Sequence, residues 1–256
     1  MSLRVLILAG LLVVASFSTS AITIDLLDPA NNQLYNTGVN SSGIALANNS
    51  VDAHYQWLNK PGTNPDTNAY AWRDVDWPIQ GGNLWRLNSI GVAGEPDSVW
   101  IAPAPAVTGT NDNFSPGNYA ITTTFNLPNL SGLLGYELIL QGTLWSDNRV
   151  NSVQLYGPGG GPALSTSAIA GTDQDYRLVN GRTFGFNLSN LTAGIYTIQF
   201  NLVNAAGASR NPAGLHVRWS EGLATGVVPE PGTYVLMATV GLALFLLSRW
   251  RRFQSV

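Results

Sequence analysis

Apolar residues recur at every second position in several short runs of this chain, and this alternation constrains the fold more than any other feature. The run 119–127 has one apolar and one mostly polar face, made by Tyr119, Ile121, Phe125 and Leu127 against Ala120, Thr122, Thr124 and Asn126. A β-strand points successive side chains to opposite faces, so the pattern predicts a half-buried strand. The same alternation occurs in 136–145, 184–188, 196–202 and 215–219.

Turn signals separate these runs, at Asn180-Gly181, at 192–194 and in the glycine-rich stretch 157–162. The chain contains no cysteine, so its body must be stabilised by a hydrophobic core without disulfides. Several short strands with polar outer faces predict an all-β fold, an antiparallel two-sheet sandwich of the jelly-roll type. The less regular part, 22–99, is expected to supply edge strands and long loops to the same body.

The first 21 residues have the three parts of a secretory signal peptide. Arg4 provides the positive region, residues 5–14 form the apolar region, and the small residues from Ser16 to Ala21 offer cleavage points. Ten apolar residues are too few for a permanent membrane span. We therefore expect residues 1–21 to act as a signal helix that directs the chain to the secretion translocon.

Residues 227–256 combine a proline-rich motif, an apolar segment at 233–248 and a basic cluster, with Pro229, Glu230, Pro231, Arg249, Arg251 and Arg252 as the defining residues. Arginine resists entering hydrocarbon, so this pattern predicts a single transmembrane helix whose basic end stays in the cytoplasm. At about 1.5 Å per residue, 233–247 would span about 22 Å, short of the roughly 30 Å hydrocarbon core. The anchor is therefore expected to be marginal.

This three-part tail resembles the PEP-CTERM sorting signal of bacterial exported proteins. In that family the tail is recognised by exosortase, a membrane-embedded cysteine transpeptidase, and the proteins are associated with extracellular polysaccharide and biofilm matrix. The resemblance implies an exosortase substrate that is processed near 229–231. It also implies a body outside the cytoplasm, anchored in the membrane by the C-terminal helix and later displayed at the cell surface or in the matrix.

The body, residues 22–226, contains short sequence motifs that resemble a recurrent pattern in exported PEP-CTERM proteins with a galactose-binding-like β-sandwich. These motifs are 36–40, 51–55, 98–103, 142–148, Asn204 and 211–215. Where that family often has a proline between the Asp and the His, this chain has Ala53. The resemblance implies the fold more than a ligand, because the same fold hosts carbohydrate binders, adhesive modules and inert spacers.

The exported part is acidic, which narrows its partners. Between residues 22 and 228 there are eight Lys or Arg and fourteen Asp or Glu, a net charge of −6. Nucleic acid is not expected to bind, because a polyanion requires a basic footprint that releases counterions. An uncharged ligand fits this composition better.

Sugar binding requires an exposed aromatic ring beside groups that hydrogen-bond hydroxyls. Two places in the sequence combine them, a strand end with Trp145, Asp147, Asn148 and Arg149, and a loop with Trp72 and Trp77. The alternative at the strand end is a structural turn in which Asp147 and Asn148 bond the backbone. The alternative at the loop is an aromatic cluster that packs it against the body.

No catalytic residue, metal or cofactor is assigned from the sequence. Calcium could use the oxygens of Asp112, Asn113, Asp173 and Asp175, but no EF-hand or nonapeptide loop is present. His54 and His216 are the only histidines, and alternation predicts that His216 faces solvent. No Gly-x-Ser-x-Gly elbow occurs.

These observations predict a non-catalytic surface or matrix protein that adheres to or organises extracellular polysaccharide. Two alternatives stay open, a secreted carbohydrate-active hydrolase and a purely structural matrix subunit that binds no sugar.

Overall fold

The computed structural model describes residues 21–28, 34–62, 66–72, 98–105, 114–172, 181–206, 211 and 213–228. All regular secondary structure in these ranges is β-strand. The strands are β1 (Ile22–Asp25), β2 (Val51–Asn59), β3 (Asn68–Trp72), β4 (Trp100–Ala102), β5 (Gly117–Leu127), β6 (Gly135–Asp147), β7 (Arg149–Tyr156), β8 (Ser165–Ala168), β9 (Arg182–Leu191), β10 (Gly194–Asn204) and β11 (Gly214–Val227).

These strands form one continuous antiparallel sheet. Their order is β8-β7-β10-β5-β2-β3-β4-β11-β6-β9, and β1 pairs with β11 outside this path. The two edge strands, β8 and β9, contact each other across a narrow seam. The sheet is therefore a nearly closed barrel, and its inward side chains meet in a single core.

The prediction of a two-sheet jelly-roll sandwich is wrong. Strands β3 and β4 join what would have been the two sheets, because β3 pairs with both β2 and β4 while Ile101 of β4 pairs with Leu215 of β11. Of the described strands in the N-terminal part, β1 pairs with one strand only, whereas β2 and β3 lie in the middle of the strand order. Alternation shows which face of a strand is buried, but it does not show which strand lies beside it.

The alternating apolar residues of the strands form the core. The five runs with this pattern lie within β5, β6, β9, β10 and β11, and their apolar positions point into the barrel. Aromatic rings fill its centre, where Phe184 meets Phe200 and Trp219 edge to face with ring centroids 5.6 and 5.1 Å apart. Fully burying an aromatic or aliphatic side chain stabilises the fold by about 1.5–3 kcal/mol, so these positions dominate stability.

Residues 35–38 link the two halves of the sheet by hydrogen bonds. Thr37 Oγ1 donates to the Val99 carbonyl (2.9 Å) and accepts from the Val217 amide (3.1 Å), so it links the start of β4 to β11. The Thr37 amide also donates to the Val217 carbonyl, and the Val99 amide donates to the Thr37 carbonyl. We refer to this set of bonds as the Thr37 bridge.

Buried polar groups on either side complete the junction. The amide of Gly38 donates to Asp52 Oδ2 (2.6 Å), and the carboxylate of Asp52 is buried. Gly38 has φ +67°, and a Cβ atom there would lie 2.1 Å from Val99 Cγ2. Only glycine fits this position, because it tolerates positive φ and leaves room for Val99.

Three aromatic residues tie β2 to β11 beside the Thr37 bridge. The Tyr35 carbonyl accepts from Tyr55 Oη (2.8 Å) and from Trp219 Nε1 (3.0 Å). The Trp219 amide donates to Asn36 Oδ1 (2.8 Å). Burial raises the pKa of Tyr55, so its phenol stays protonated and keeps donating.

The helical part of the fold prediction is not borne out. No helix occurs in the ranges described above, and so none there is long and apolar enough to cross a membrane. Residues 1–20 of the expected signal peptide lie outside the described residues, and Ala21 has no regular structure. The sorting motif at 229–231, the segment 233–248 and the arginines at 249, 251 and 252 also lie outside them.

Candidate functional site: an uncharged polar face

The structure brings two of the predicted aromatic residues to one wall of the barrel and buries both. Trp72 pairs across strands with Trp100, and Trp145 pairs with His216. The rings of Trp100 and Trp145 lie 5.8 and 5.3 Å from the His216 ring. Because these side chains are buried, neither Trp72 nor Trp145 presents an open ring face to a ligand in this structure.

The polar residues after Trp145 belong to the connection between β6 and β7. Asn148 Oδ1 accepts from the Ala205 amide (2.6 Å), which is the backbone bonding of a structural turn. Asp147 is buried, and Arg149 is half-buried at the start of β7. Trp77 and the four residues considered for calcium lie outside the described part of the chain.

The prediction that His216 faces solvent is wrong. Its side chain is buried, and its Nε2 lies 2.9 Å from Ser98 Oγ. Burial lowers the pKa of His216 to about 3, so the ring is neutral at ordinary pH. Among the described residues its Nδ1 has no hydrogen-bond partner, so no acid of that part of the chain orients this histidine as in a catalytic triad.

His54 occupies a different position, beside the Thr37 bridge. Its Nδ1 lies 3.3 Å from Asp52 Oδ1, and its ring stacks on Tyr35 with 3.7 Å between centroids. The Asp52 carboxylate is already held by the amides of Gly38 and His54. These contacts indicate a structural role for the Asp-x-His motif.

The opposite wall of the barrel carries an array of half-buried and exposed polar side chains. Five strands place one such residue each in direct register, forming a row that runs Thr166, Gln154, Gln199, Thr122 and Gln56. Neighbouring strands lie about 4.8 Å apart, so the row is about 19 Å long. A second register level adds Tyr156, Thr197 and Thr124. We call these eight residues, together with Asn201 and Ser152, the polar face.

Hydrogen bonds between side chains hold the polar face in a fixed arrangement. Asn201 Nδ2 donates to Ser152 Oγ (3.0 Å) and to Gln154 Oε1 (2.8 Å). Gln199 Nε2 donates to Asn201 Oδ1 (2.7 Å), and Tyr156 Oη donates to Gln154 Oε1 (2.9 Å). Such a network orders the amides in advance, which reduces the entropy lost when a ligand binds.

The polar face is uncharged. Strands β5, β8 and β10 contain no Asp, Glu, Lys, Arg or His, and β7 contains a single charged residue, Arg149 at its first position. Strand β2 contributes Gln56 and also carries Asp52 and His54, which lie beside the Thr37 bridge. Exposed tryptophan does not predict this site, because none of the ten residues of the polar face is tryptophan. The signal was nevertheless present, since the outward positions of 119–127 and 196–202 are occupied by Thr, Asn, Gln and Ala.

An open groove follows the seam between β8 and β9, next to the end of the polar face. Its polar lining consists of Gln141, Ser167, Thr183, Asn187 and Glu221. Glu221 is the one carboxylate in the described lining. The groove therefore extends the hydrogen-bonding surface but lacks the facing pair of carboxylates that glycoside hydrolysis uses.

Comparisons with known proteins do not assign a family. No family model matches the chain, and no curated protein matches it. The chain is similar to a solved structure of infectious bursal disease virus, Gt strain, at 15% identity and TM-score 0.31, over 67% of this chain and 41% of that one. A structure of the Gx strain gives 12% identity and TM-score 0.28, over 84% and 53%. The chain thus spans about half the length of these chains or less, and so weak a likeness carries no argument about function.

The buried His216 predicts a specific pH dependence of stability. Its pKa is about 3 when folded and about 6.5 when exposed in the unfolded chain, so the unfolded chain takes up the proton first. Titration of His216 should therefore leave the free energy of unfolding unchanged above pH 6.5. Below pH 6.5 it should lower the free energy of unfolding by up to about 1.4 kcal/mol per pH unit. Denaturation of the full chain between pH 4 and 7 should show a steeper slope for wild type than for His216→Gln.

The NMR signals of the His216 ring provide the control if His216→Gln does not fold. These signals should stay those of a neutral imidazole down to pH 4 in the wild-type protein. Protonation of the folded ring near pH 6, or equal slopes for the two proteins, would contradict the burial described here.

Proposed function

We propose that this chain is an exported, exosortase-processed protein of the bacterial cell surface or extracellular matrix, and that its body adheres to a neutral polysaccharide through the polar face. It acts by binding and does not catalyse a reaction. The observation that carries this proposal is the five-strand row of amide and hydroxyl side chains, which is long, uncharged and fixed by its own hydrogen bonds.

An extended neutral polymer matches this row chemically. Sugar hydroxyls both donate and accept, as do amides and hydroxyls, so Gln199 and Gln154 can exchange water for sugar without leaving a group unsatisfied. Tyr156 adds one aromatic ring at the edge of the face, where the apolar side of a sugar ring can pack. An array of modest contacts over about 19 Å favours a polymer over a single small sugar.

Charge supports a neutral rather than an acidic ligand. The part of the chain between 22 and 228 has a net charge of −6, and the polar face itself offers no cation. A polyuronate would therefore gain no ion pairs there and would be repelled by the rest of the surface.

The export half of the proposal depends on the sequence at the two ends of the chain. The signal peptide and the motif at 229–231 with its following apolar and basic segments are the features that resemble exosortase substrates. Strand β11 runs to Val227, so the motif follows the last strand of the barrel directly. A processing enzyme could therefore reach 229–231 without unfolding the sheet.

A glycan array that carries neutral and uronate-containing glycans tests the binding function. We expect the full chain to bind neutral glycans, and Gln199→Ala or Gln154→Ala to weaken this binding about fivefold, because one net hydrogen bond contributes about 1 kcal/mol. The comparison variant is Gln141→Ala, which removes an exposed glutamine from the adjoining groove and so distinguishes that groove from the polar face.

The outcomes of this test separate the alternatives. Equal binding by wild type, Gln199→Ala and Gln154→Ala would reject the polar face, and a loss with Gln141→Ala alone would place the site in the groove. No binding to any glycan would favour a purely structural matrix subunit.

Processing is tested separately in a bacterium that encodes exosortase. Glu230→Ala, or deletion of 249–252, should leave an unprocessed precursor of larger size on an immunoblot of cell fractions. Glu221→Ala removes a carboxylate from the body and should be processed normally. Mature protein of unchanged size in both tail variants would contradict the proposal.

A further inference from the structure

One end of the barrel differs sharply in chemistry from the other. Strands β5, β7, β9 and β11 end there, so it carries the loops 128–134, 157–164 and 192–193, and also Ile22 and Val228. None of the residues in these three loops is charged. We call this the apolar end. Charged residues mark the opposite end instead, where Lys60, Asp66, Asp147, Arg149 and Arg182 lie.

The apolar end exposes large aliphatic side chains. The described residues include seven exposed large hydrophobic side chains, and four of them belong to this end, namely Ile22, Leu134, Leu164 and Ile195. Leu134 is 71% exposed and Ile195 is 62% exposed, although they belong to different halves of the sheet. The exposed aliphatic groups are thus spread across the end rather than gathered in one pocket, which favours a broad, flat partner.

The chain leaves the barrel at this same end. The Leu134 amide donates to the Val227 carbonyl (2.9 Å), so the last residues of β11 lie beside an exposed leucine. Only 229–232 separate Val228 from the apolar run 233–247, which is followed by three arginines. At about 3.6 Å per residue, the apolar run begins within about 18 Å of the apolar end.

We infer that the apolar end is a lipid-contacting surface, on which the barrel rests against the membrane while the C-terminal segment is still attached. An apolar run followed by arginines partitions into lipid with its charges at the headgroups. The short connection then holds Leu134, Leu164 and Ile195 at the interface, where aliphatic groups are taken out of water. The polar face begins beside this end, at Tyr156 and Thr166, and extends along the strands toward Ser152 and Asn201, away from the bilayer. This inference depends on the proposed export and tail.

Site-specific labelling is straightforward because the chain has no cysteine. The full chain is prepared as Leu134→Cys, as Ile195→Cys and as the matched control Leu58→Cys, and each is labelled with an environment-sensitive fluorophore. Leu58 is 67% exposed and lies near the end of β2 at the opposite, charged end of the barrel. The probe is a phosphatidylcholine vesicle with or without nitroxide-bearing lipid.

We expect the labels at 134 and 195 to shift to the blue on vesicles and to lose most of their emission to lipid-borne nitroxide, while the label at 58 does neither. Co-flotation of the chain with vesicles, but no quenching at 134 and 195, would overturn this inference and leave the proposed function intact. Failure of the chain to float would overturn the lipid contact together with the assumed partitioning of the tail. A blue shift without vesicles that grows with protein concentration would assign the apolar end to a second copy and also overturn the inference.

Discussion

The Thr37 bridge joins the two halves of the sheet at the point where strand pairing is shortest. Strand β4 has three residues and pairs with β11 through a single residue pair. The side chain and backbone of Thr37 supply further bonds, from Val99 on one side to Val217 on the other. Because the bridge is buried, each of its polar groups would be costly to leave unpaired, and one arrangement is strongly selected.

The closed sheet gives the protein two unlike walls. On one wall the row from Trp72 to Trp145 is buried, and His216 is held neutral within it. On the other wall the row from Thr166 to Gln56 is formed by amides and hydroxyls that bond one another. The first wall stabilises the fold, whereas the second offers hydrogen-bonding groups at fixed spacing, which is what a binding surface requires.

The positions of the strands could be predicted from the sequence, but their partners could not. The alternation in 119–127 and 196–202 places both runs in β5 and β10, which pair along their whole length. The closure through β3 and β4 depends on Thr37 reaching residues 62 and 180 positions away, which no local pattern encodes. The prediction that His216 faces solvent is wrong for the same reason. Alternation identifies an outward position, but it does not show whether other residues cover that position.

The candidate site was also only partly visible in the sequence. Trp145 and Asn148 were predicted to bind sugar because tryptophan followed by polar groups is a common sugar-binding composition. In the structure Trp145 is buried, and Asn148 accepts a hydrogen bond from the backbone. The sequence motifs at 36–40, 51–55 and 98–103 meet at the junction beside the Thr37 bridge. Their hydrogen bonds there stabilise the fold. Gln154 and Gln199 are unremarkable alone and become a site only when strand register aligns them.

The proposed recognition of a glycan by the polar face uses no charged group, so its affinity should depend little on salt concentration. The Debye length shortens from about 10 Å at 0.1 M salt to about 3 Å at 1 M, so contacts between charges weaken over this range. For a neutral glycan identified on the array, the dissociation constant measured by calorimetry should change less than about twofold. Weakening by about tenfold or more would show that ion pairs carry the binding and would contradict the account.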